Sequence, residues 1–317
     1  MDFKKTLTRT QKRNLFFGIM IALPILHFII FYGVINLNII LLAFKKYEPL
    51  ENAAVGYKIS FAAFENFSVV IDMLSYQENW KMVTNSLILW AFKLFVGLSV
   101  SIVFSYYVYK KMLGARFFRV ILFLPNVISA LIMVYLFRYF VNNALVTVLN
   151  LEMGLLDNPD TNFWTILFFN LWLGFAGQTL MFTSSMSSIN DSVVEAAQVD
   201  GVTAIQELLY ITVPMIYPTF VTFVVLGIAE IFVDQMALIT FYDKFSILPG
   251  LRTVGYYLFQ QAYDSELIPT TSWETNHDTG RLSYSQLSAF GVMISLIIIP
   301  VSFGVRKLLN SVGPSDQ

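Results

Sequence analysis

The chain has 317 residues, of which 56% are hydrophobic and 13% charged, with a formal net charge of −1. Soluble domains carry about 25% charged residues, so this composition excludes an ordinary soluble enzyme and reads as a polytopic membrane protein. There is no cysteine, which excludes disulfides and thiolate chemistry, and the two histidines, His27 and His277, are too far apart in sequence to suggest a histidine metal site or triad.

Residues 1–44 comprise a basic tail (Lys4, Lys5, Arg9, Lys12, Arg13) and an apolar run from Leu15 to Phe44. The run is too long for a signal-peptide core. It predicts a first transmembrane helix with a cytoplasmic N-terminus. His27, inside it, reads as an interhelical hydrogen-bonding group rather than a ligand. Residues 45–79 are polar enough for an external loop. A core of five further helices is expected over residues 80–310.

The first of these runs from Met82 to Tyr109, and Lys110, Lys111, Arg116 and Arg119 place the loop after it inside. The next covers Phe117 to Phe140, with Pro125 as a kink that neighbouring helices can tolerate. Residues 141–161 hold Glu152, Asp157 and Asp160 without a basic residue and read as an external loop. A helix from Asn162 to Ser188 follows, then a polar island at 189–213, then a helix from Pro214 to Thr240.

The segment 241–284 is the longest polar connection and is expected outside. Leu251–Ala262 in it has the pattern of a short amphipathic helix, and Trp273-Glu274-Thr275-Asn276 is a polar run with one apolar anchor. The last helix, Leu287 to Val305, is closed by Arg306 and Lys307, and residues 311–317 form a cytoplasmic tail. The fold expected is therefore all-α, with six transmembrane helices, both termini in the cytoplasm and a cytoplasmic helix-turn-helix elbow. Lys45, Lys46, Lys58, Lys81, Lys244, Arg252 and Arg281 fall outside in this layout, and the island has no basic residue. Its cytoplasmic side follows from helix parity.

The island has the grammar of two small helices meeting at a glycine. Ser192 and Glu195 have capping-box spacing, which predicts a helix running to Asp200. Gly201 suits the left-handed residue that ends it. Thr203 and Gln206 repeat the spacing and start a second helix, and Pro214 marks the start of the next apolar run. Val193, Val194, Ala196 and Ala197 give a thin apolar face.

Glu195, Ala196, Ala197, Asp200, Gly201 and Pro214, at these spacings, resemble the EAA loop of bacterial ABC-importer permeases. Val202 and Val213 stand where many relatives have alanine and leucine. Phe64-Glu65-Asn66-Phe67 resembles the Asn-Phe segment that precedes the core helices there, and Leu124-Pro125 the Phe-Leu-Pro element of carbohydrate-type permeases. The resemblance runs from Phe61 to Leu309 and is nearest to the maltose type.

It implies a permease subunit of the bacterial cytoplasmic membrane, forming half of the path for a carbohydrate, an oligosaccharide. It further implies a second permease, two ATPase subunits that hold ATP and Mg, and an external solute-binding protein. The elbow would be the ATPase contact. The chain itself would be no enzyme and hold no metal or cofactor. Thr240-Phe241-Tyr242-Asp243, where relatives often carry Thr-Gly-Gly-Pro, and the polar insert at 264–284 depart from the pattern. They leave open an importer of glycerol phosphate or a polyol.

No phosphate-binding GxxxxGK[ST] loop is present, so ATP belongs on another chain. No basic stripe with interleaved aromatics marks a nucleic-acid binder. An ion-coupled secondary transporter would predict an internal repeat, which is not visible. A membrane enzyme would need more than Glu230 with Asp234.

Polar residues inside apolar helices are costly and are functional candidates. Asn170, Gly174 and Gln178 share one helix face, and Gly227, Glu230, Asp234 and Gln235 follow on the next helix. Counted along the helices, Asn170 and Glu230 lie ~24–27 Å above the island, which predicts one cavity in the outer half of the membrane. Gly174, Gly177 and Gly227 serve either ligand room or close helix packing. Lys93, near mid-membrane, calls for snorkelling or an ion pair, with Glu230 as the candidate partner. Trp164, Trp172 and Tyr242 suit either sugar stacking or interface anchoring.

Overall fold

The computed structural model describes residues 8–49, 57–242, 249–267 and 282–314. In chain order the elements are helix α1 (Arg9–Leu42), strands β1 (Lys45–Pro49) and β2 (Tyr57–Phe61), and helices α2 (Glu65–Ser75), α3 (Asn79–Tyr109), α4 (Ala115–Val127), α5 (Ala130–Leu149) and α6 (Asn162–Ser187). Then come α7 (Asp191–Val199), α8 (Ala204–Met215), α9 (Tyr217–Glu230), α10 (Leu238–Tyr242), α11 (Val254–Leu267) and α12 (Tyr284–Val312). Among the described residues five helices, α1, α3, α5, α6 and α12, are long and apolar enough to cross a bilayer. The bent pair α8–α9 makes a sixth if it is one span. The all-α expectation holds apart from an antiparallel ribbon in which Lys45 opposes Phe61 and Pro49 opposes Tyr57.

The chain divides into two compact units, Met1–Met73 with Asp264–Met293, and Leu74–Tyr263 with Ile294–Gln317. In the first, α1 buries none of its residues. The segment after it is ordered by Asn66, whose amide donates to the carbonyls of Ala43 (2.8 Å) and Lys45 (3.0 Å). The first is a carbonyl left over at the C-cap of α1, and the second opens β1. Phe44 packs against the rings of Phe61, Phe64 and Phe67, and Lys46 pairs with Glu65 at 3.0 Å. The Asn-Phe segment is thus the anchor of this unit.

In the second unit α3 packs along α6 through small polar residues. Ser101 donates to Gln178 Oε1 (2.9 Å) and Ser105 to the Thr179 carbonyl (3.1 Å). Serine permits the close backbone approach that membrane helices need, and its hydroxyl finds a partner. One apolar cluster gathers Phe137, Phe169, Phe241 and Tyr256, and another Phe182, Met186, Ile216 and Ile228.

Three expected helices end elsewhere. The run 117–140 is broken at Ile128, whose extended backbone (φ −82, ψ 143) stops α4 three residues past Pro125, and Pro125 supplies no amide to the helix. The chain then restarts as α5, which continues to Leu149, into the stretch read as loop, and ends on left-handed Asn150 (φ 53). The run 214–240 is bent by 70° between Met215 and Tyr217. Ile216 leaves helical geometry there (φ −92, ψ 7), and Pro218 has no N–H to extend the ladder of α8. Pro214 lies inside the last turn of α8, not at the bend. α9 stops at Glu230, so Asp234 and Gln235 sit in a turn and not on a helix. Leu251–Ala262 is realised as a turn of 3₁₀ helix followed by α11. Lys244, Trp273-Glu274-Thr275-Asn276, His277 and Arg281 lie outside the described residues.

Candidate functional site

The elbow is α7, the turn at Gly201 and α8. The N-cap of α7 is Asn190 and not Ser192. Its Oδ1 accepts from Ser192 N (3.1 Å) and Ser192 Oγ (3.0 Å). Asparagine is among the best caps, and Asp191 adds negative charge to the first turn. Gly201 has φ +74, and an added Cβ would meet no atom within 4 Å. The Thr203–Gln206 capping box forms as expected, with Gln206 Oε1 2.9 Å from Thr203 N.

Val194 and Ala197 turn inward, while Val193, Glu195, Ala196 and Asp200 are exposed, so the expected four-residue apolar face is split. The apolar side chains that the elbow offers outward are instead Val199, Ile205 and Tyr210, at 87%, 71% and 76% exposure. The elbow is tied to the rest of the unit by Glu207, which is buried and pairs with Lys110 at the end of α3. It therefore shares an end of α3 with Lys110 and Lys111. The Tyr217 hydroxyl donates to the Leu309 carbonyl (2.9 Å), which brings the end of α12 to the start of α9.

Further along α3 and α9 lies a cavity of about 300 Å³. Gly174, Gln178, Gly227, Glu230 and Asp234 line it, as do Gly177 and Lys93, whereas Asn170 and Gln235 do not. An added Cβ at Gly174 or Gly177 would meet nothing within 4 Å, so these glycines widen the cavity and do not serve close packing. Trp164 and Trp172 pack edge-on against Phe92 and Phe169, and the Tyr242 hydroxyl donates to the Leu156 carbonyl (2.8 Å). The aromatics that do line the cavity are Phe223 and Trp90, and the buried Nε1 of Trp90 has no hydrogen-bond partner among the described residues.

Lys93 pairs with Asp234 and not, as expected, with Glu230. The ammonium sits in a π-helical turn of α3, Phe92–Gly97. Asp234 is held from two sides: its Oδ1 accepts from Met236 N (2.8 Å), and its carbonyl accepts from Thr253 Oγ1 (2.8 Å). Met236 and Ala237 follow in left-handed conformation (φ 55 and 54) without being glycine. Such strain persists only where the surroundings over-determine it.

Asn170 is part of those surroundings, donating to Ile166 O (2.9 Å) and Met236 O (3.1 Å). Its position opposite the turn after Glu230 agrees with the height matched from sequence, although the bend at Ile216 rules out a straight count. Gln235 accepts from Leu238 N through its carbonyl (3.1 Å). Glu230 has no side-chain partner among the described residues. Chemically, the cavity holds one neutralised ion pair, one unpaired carboxylate, a partly committed amide and a free indole N–H on apolar walls. Among the described residues no cluster of three or more His, Asp or Glu could hold a metal ion.

Sequence reasoning missed Trp90 and the Lys110–Glu207 pair. Trp90 lies three residues before Lys93 and so on the same helix face, a spacing that was available to find it. Glu207 carries no such signal, since a single acid in a polar island reads as solvated.

These features define a polytopic α-helical membrane protein with a polar cavity between its helices and a helical elbow at one end. The chain belongs to the family described as binding-protein-dependent transport system inner membrane component, whose model matches residues 93–312. It is 28% identical over 283 residues to the maltodextrin transport system permease protein MdxF of Bacillus subtilis, covering 81% of this chain and 61% of that one. It is 30% identical over 165 residues to the probable ABC transporter permease protein MG188 of Mycoplasma genitalium, covering 49% of each. The chain thus spans about half to three-fifths of the length of these two relatives. Among solved structures it resembles a bacterial ABC transporter involved in the import of the acidic polysaccharide alginate. The TM-score is 0.71 at 18% identity, over 95% of this chain and 97% of that one.

Proposed function

We propose that this chain is a permease subunit of an ATP-driven importer and forms half of the path for a neutral oligosaccharide. The observation that carries the reading is the elbow, which offers Val199, Ile205 and Tyr210 to a partner in a chain of the transport family. An ATPase subunit is the partner proposed there, since no phosphate-binding loop occurs in this sequence. Two such subunits with ATP and Mg, a second permease and an external solute-binding protein complete the assembly. The basic residues at the elbow end of α3 (Lys110, Lys111) and in the last turns of α12 (Arg306, Lys307) support a cytoplasmic elbow and cytoplasmic termini. The names of the relatives support a carbohydrate.

The charge of the cavity favours a neutral one. Lys93 and Asp234 cancel, which leaves Glu230 as a net negative charge. A carboxylate accepts strong hydrogen bonds from sugar hydroxyls and repels uronates and phosphates. Gln178 and the Trp90 indole add further partners for hydroxyls that have left water. The test is uptake into vesicles that carry the full complex, with neutral, acidic and phosphorylated sugars as competitors. Neutral oligosaccharides should compete and uronates should not, and Glu230→Gln should narrow that gap. Uptake blocked best by an acidic or phosphorylated sugar would overturn the neutral assignment. Purification of the native chain without an ATPase would overturn the importer reading.

A further inference from the structure

Helix α3 carries an ion-paired lysine at two levels, and the two acidic partners lie on either side of the bend at Ile216. Lys93 pairs with Asp234 in the turn that follows α9, and Lys110 pairs with Glu207 in α8. One unbroken helix is thereby fastened to both arms of a jointed segment, at points ~25 Å apart along its axis.

The elbow fastening is built to hold. The Glu207 side chain is 6% exposed. The Lys110 ammonium lies 5.7 Å from the ring centroids of both Tyr106 and Tyr109. It also stands at the C-terminal cap of α3, where a helix favours a cation. Ile189, Val194, Leu208, Tyr109 and Ile216 pack in one apolar cluster there and limit water. Separating the pair would leave a buried charge without a partner, which is strongly unfavourable. The elbow and this end of α3 are therefore fastened to each other, and the bend at 216–217 is the joint between them and α9.

We infer that Lys110 and Glu207 are a positioning pair that carries displacement of the elbow into α3, and so to the Lys93–Asp234 pair in the cavity. This rests on the reading of the elbow as the ATPase contact. The motion would change the cavity by moving the helix that bears Lys93 relative to the turn that bears Asp234.

The test uses the full complex in liposomes, with Glu207→Gln, Lys110→Met and the reversed pair Lys110→Glu with Glu207→Lys. The single variants should retain the ATPase subunit and basal hydrolysis but lose sugar moved per ATP by roughly tenfold, within the range of site-to-site coupling. The reversed pair should recover part of that loss, since the cap of α3 and the two tyrosine rings favour a cation at position 110. Normal transport in the single variants, or a reversed pair no better than they are with the complex intact, overturns the inference.

If charge variants fail to assemble, Lys110→Cys with Glu207→Cys decides the matter, because the chain has no other cysteine. Joined by a bifunctional thiol reagent, the two positions should still support transport, since they travel together. A block by the bifunctional reagent that a monofunctional one does not reproduce overturns the proposal. Failure of the elbow reading itself looks different: the unaltered chain then does not retain an ATPase at all.

Discussion

Replacing Asp234 by asparagine separates the two jobs of that side chain. The asparagine keeps an oxygen for Met236 N, the partner now held at 2.8 Å, but turns an amide donor toward the Lys93 ammonium. Breaking a fully buried pair costs about 3–5 kcal/mol, and an exposed pair contributes about 0–1 kcal/mol. The Lys93 and Asp234 side chains are 30% and 19% exposed, between those limits. A loss of roughly 2 kcal/mol follows, or about 3 °C in Tm for a chain of this size.

Lys93→Met should cost a similar amount. The double variant should cost less than the two losses summed, because neither charge is then left alone. Thermal unfolding of the purified complex in nanodiscs, run as a double-mutant cycle, measures the difference. Adding Glu230→Gln to Asp234→Asn should cost more than either change predicts, because Glu230 is the other carboxylate that lines the cavity with Lys93. Losses that simply add, within about 0.5 kcal/mol, would refute the pairing argument.

Two further outcomes are expected. Gly201→Val should impair transport while leaving the chain in the membrane, because φ +74 resists a β-branched residue by about 1–2 kcal/mol although space is open. Gly201→Asn should be nearly neutral, and normal uptake by the valine variant would remove the elbow from the coupling role. Gly255→Ala should destabilise the complex by about 1–3 kcal/mol or more, since the new methyl meets the carbonyls of Val233 and Asp234, which are backbone and cannot yield cheaply. An unchanged Tm would mean that the turn at 233–236 is looser than its contacts suggest.

The sequence was informative where one local rule dominates. Gly201 and the Thr203–Gln206 box are short-range chemistry, and both formed as read. Long apolar runs gave α1, α3, α6 and α12 nearly whole. It was uninformative where tertiary contacts override periodicity. The run 214–240 is apolar apart from Glu230, Asp234, Gln235 and three threonines, and nothing in its pattern says that helix stops at Glu230. Asn170, Thr253 and Gly255 stop it by holding the turn 231–237, and they come from elsewhere in the chain. The same turn moved Asp234 off the face it would share with Glu230 and put it opposite Lys93. Counting four residues along an imagined helix could not find that.

The π-helical turn at Phe92–Gly97 has a consequence for reading relatives of this chain. Such a turn holds one residue more than the α-helix around it. Winding the same residues as plain α-helix would rotate one half of α3 against the other by about 100°. Asn85 and Ser86, which now bond to Gly250 and Val254, and Ser101 and Ser105, which bond to α6, could not then all keep their partners. The turn therefore works as a phase shift between two contact faces written on one helix. A homologue with the same number of residues here but no π turn would present different residues to its cavity at the same aligned positions, so equivalences drawn by column without a gap would name the wrong side chains on one side of it.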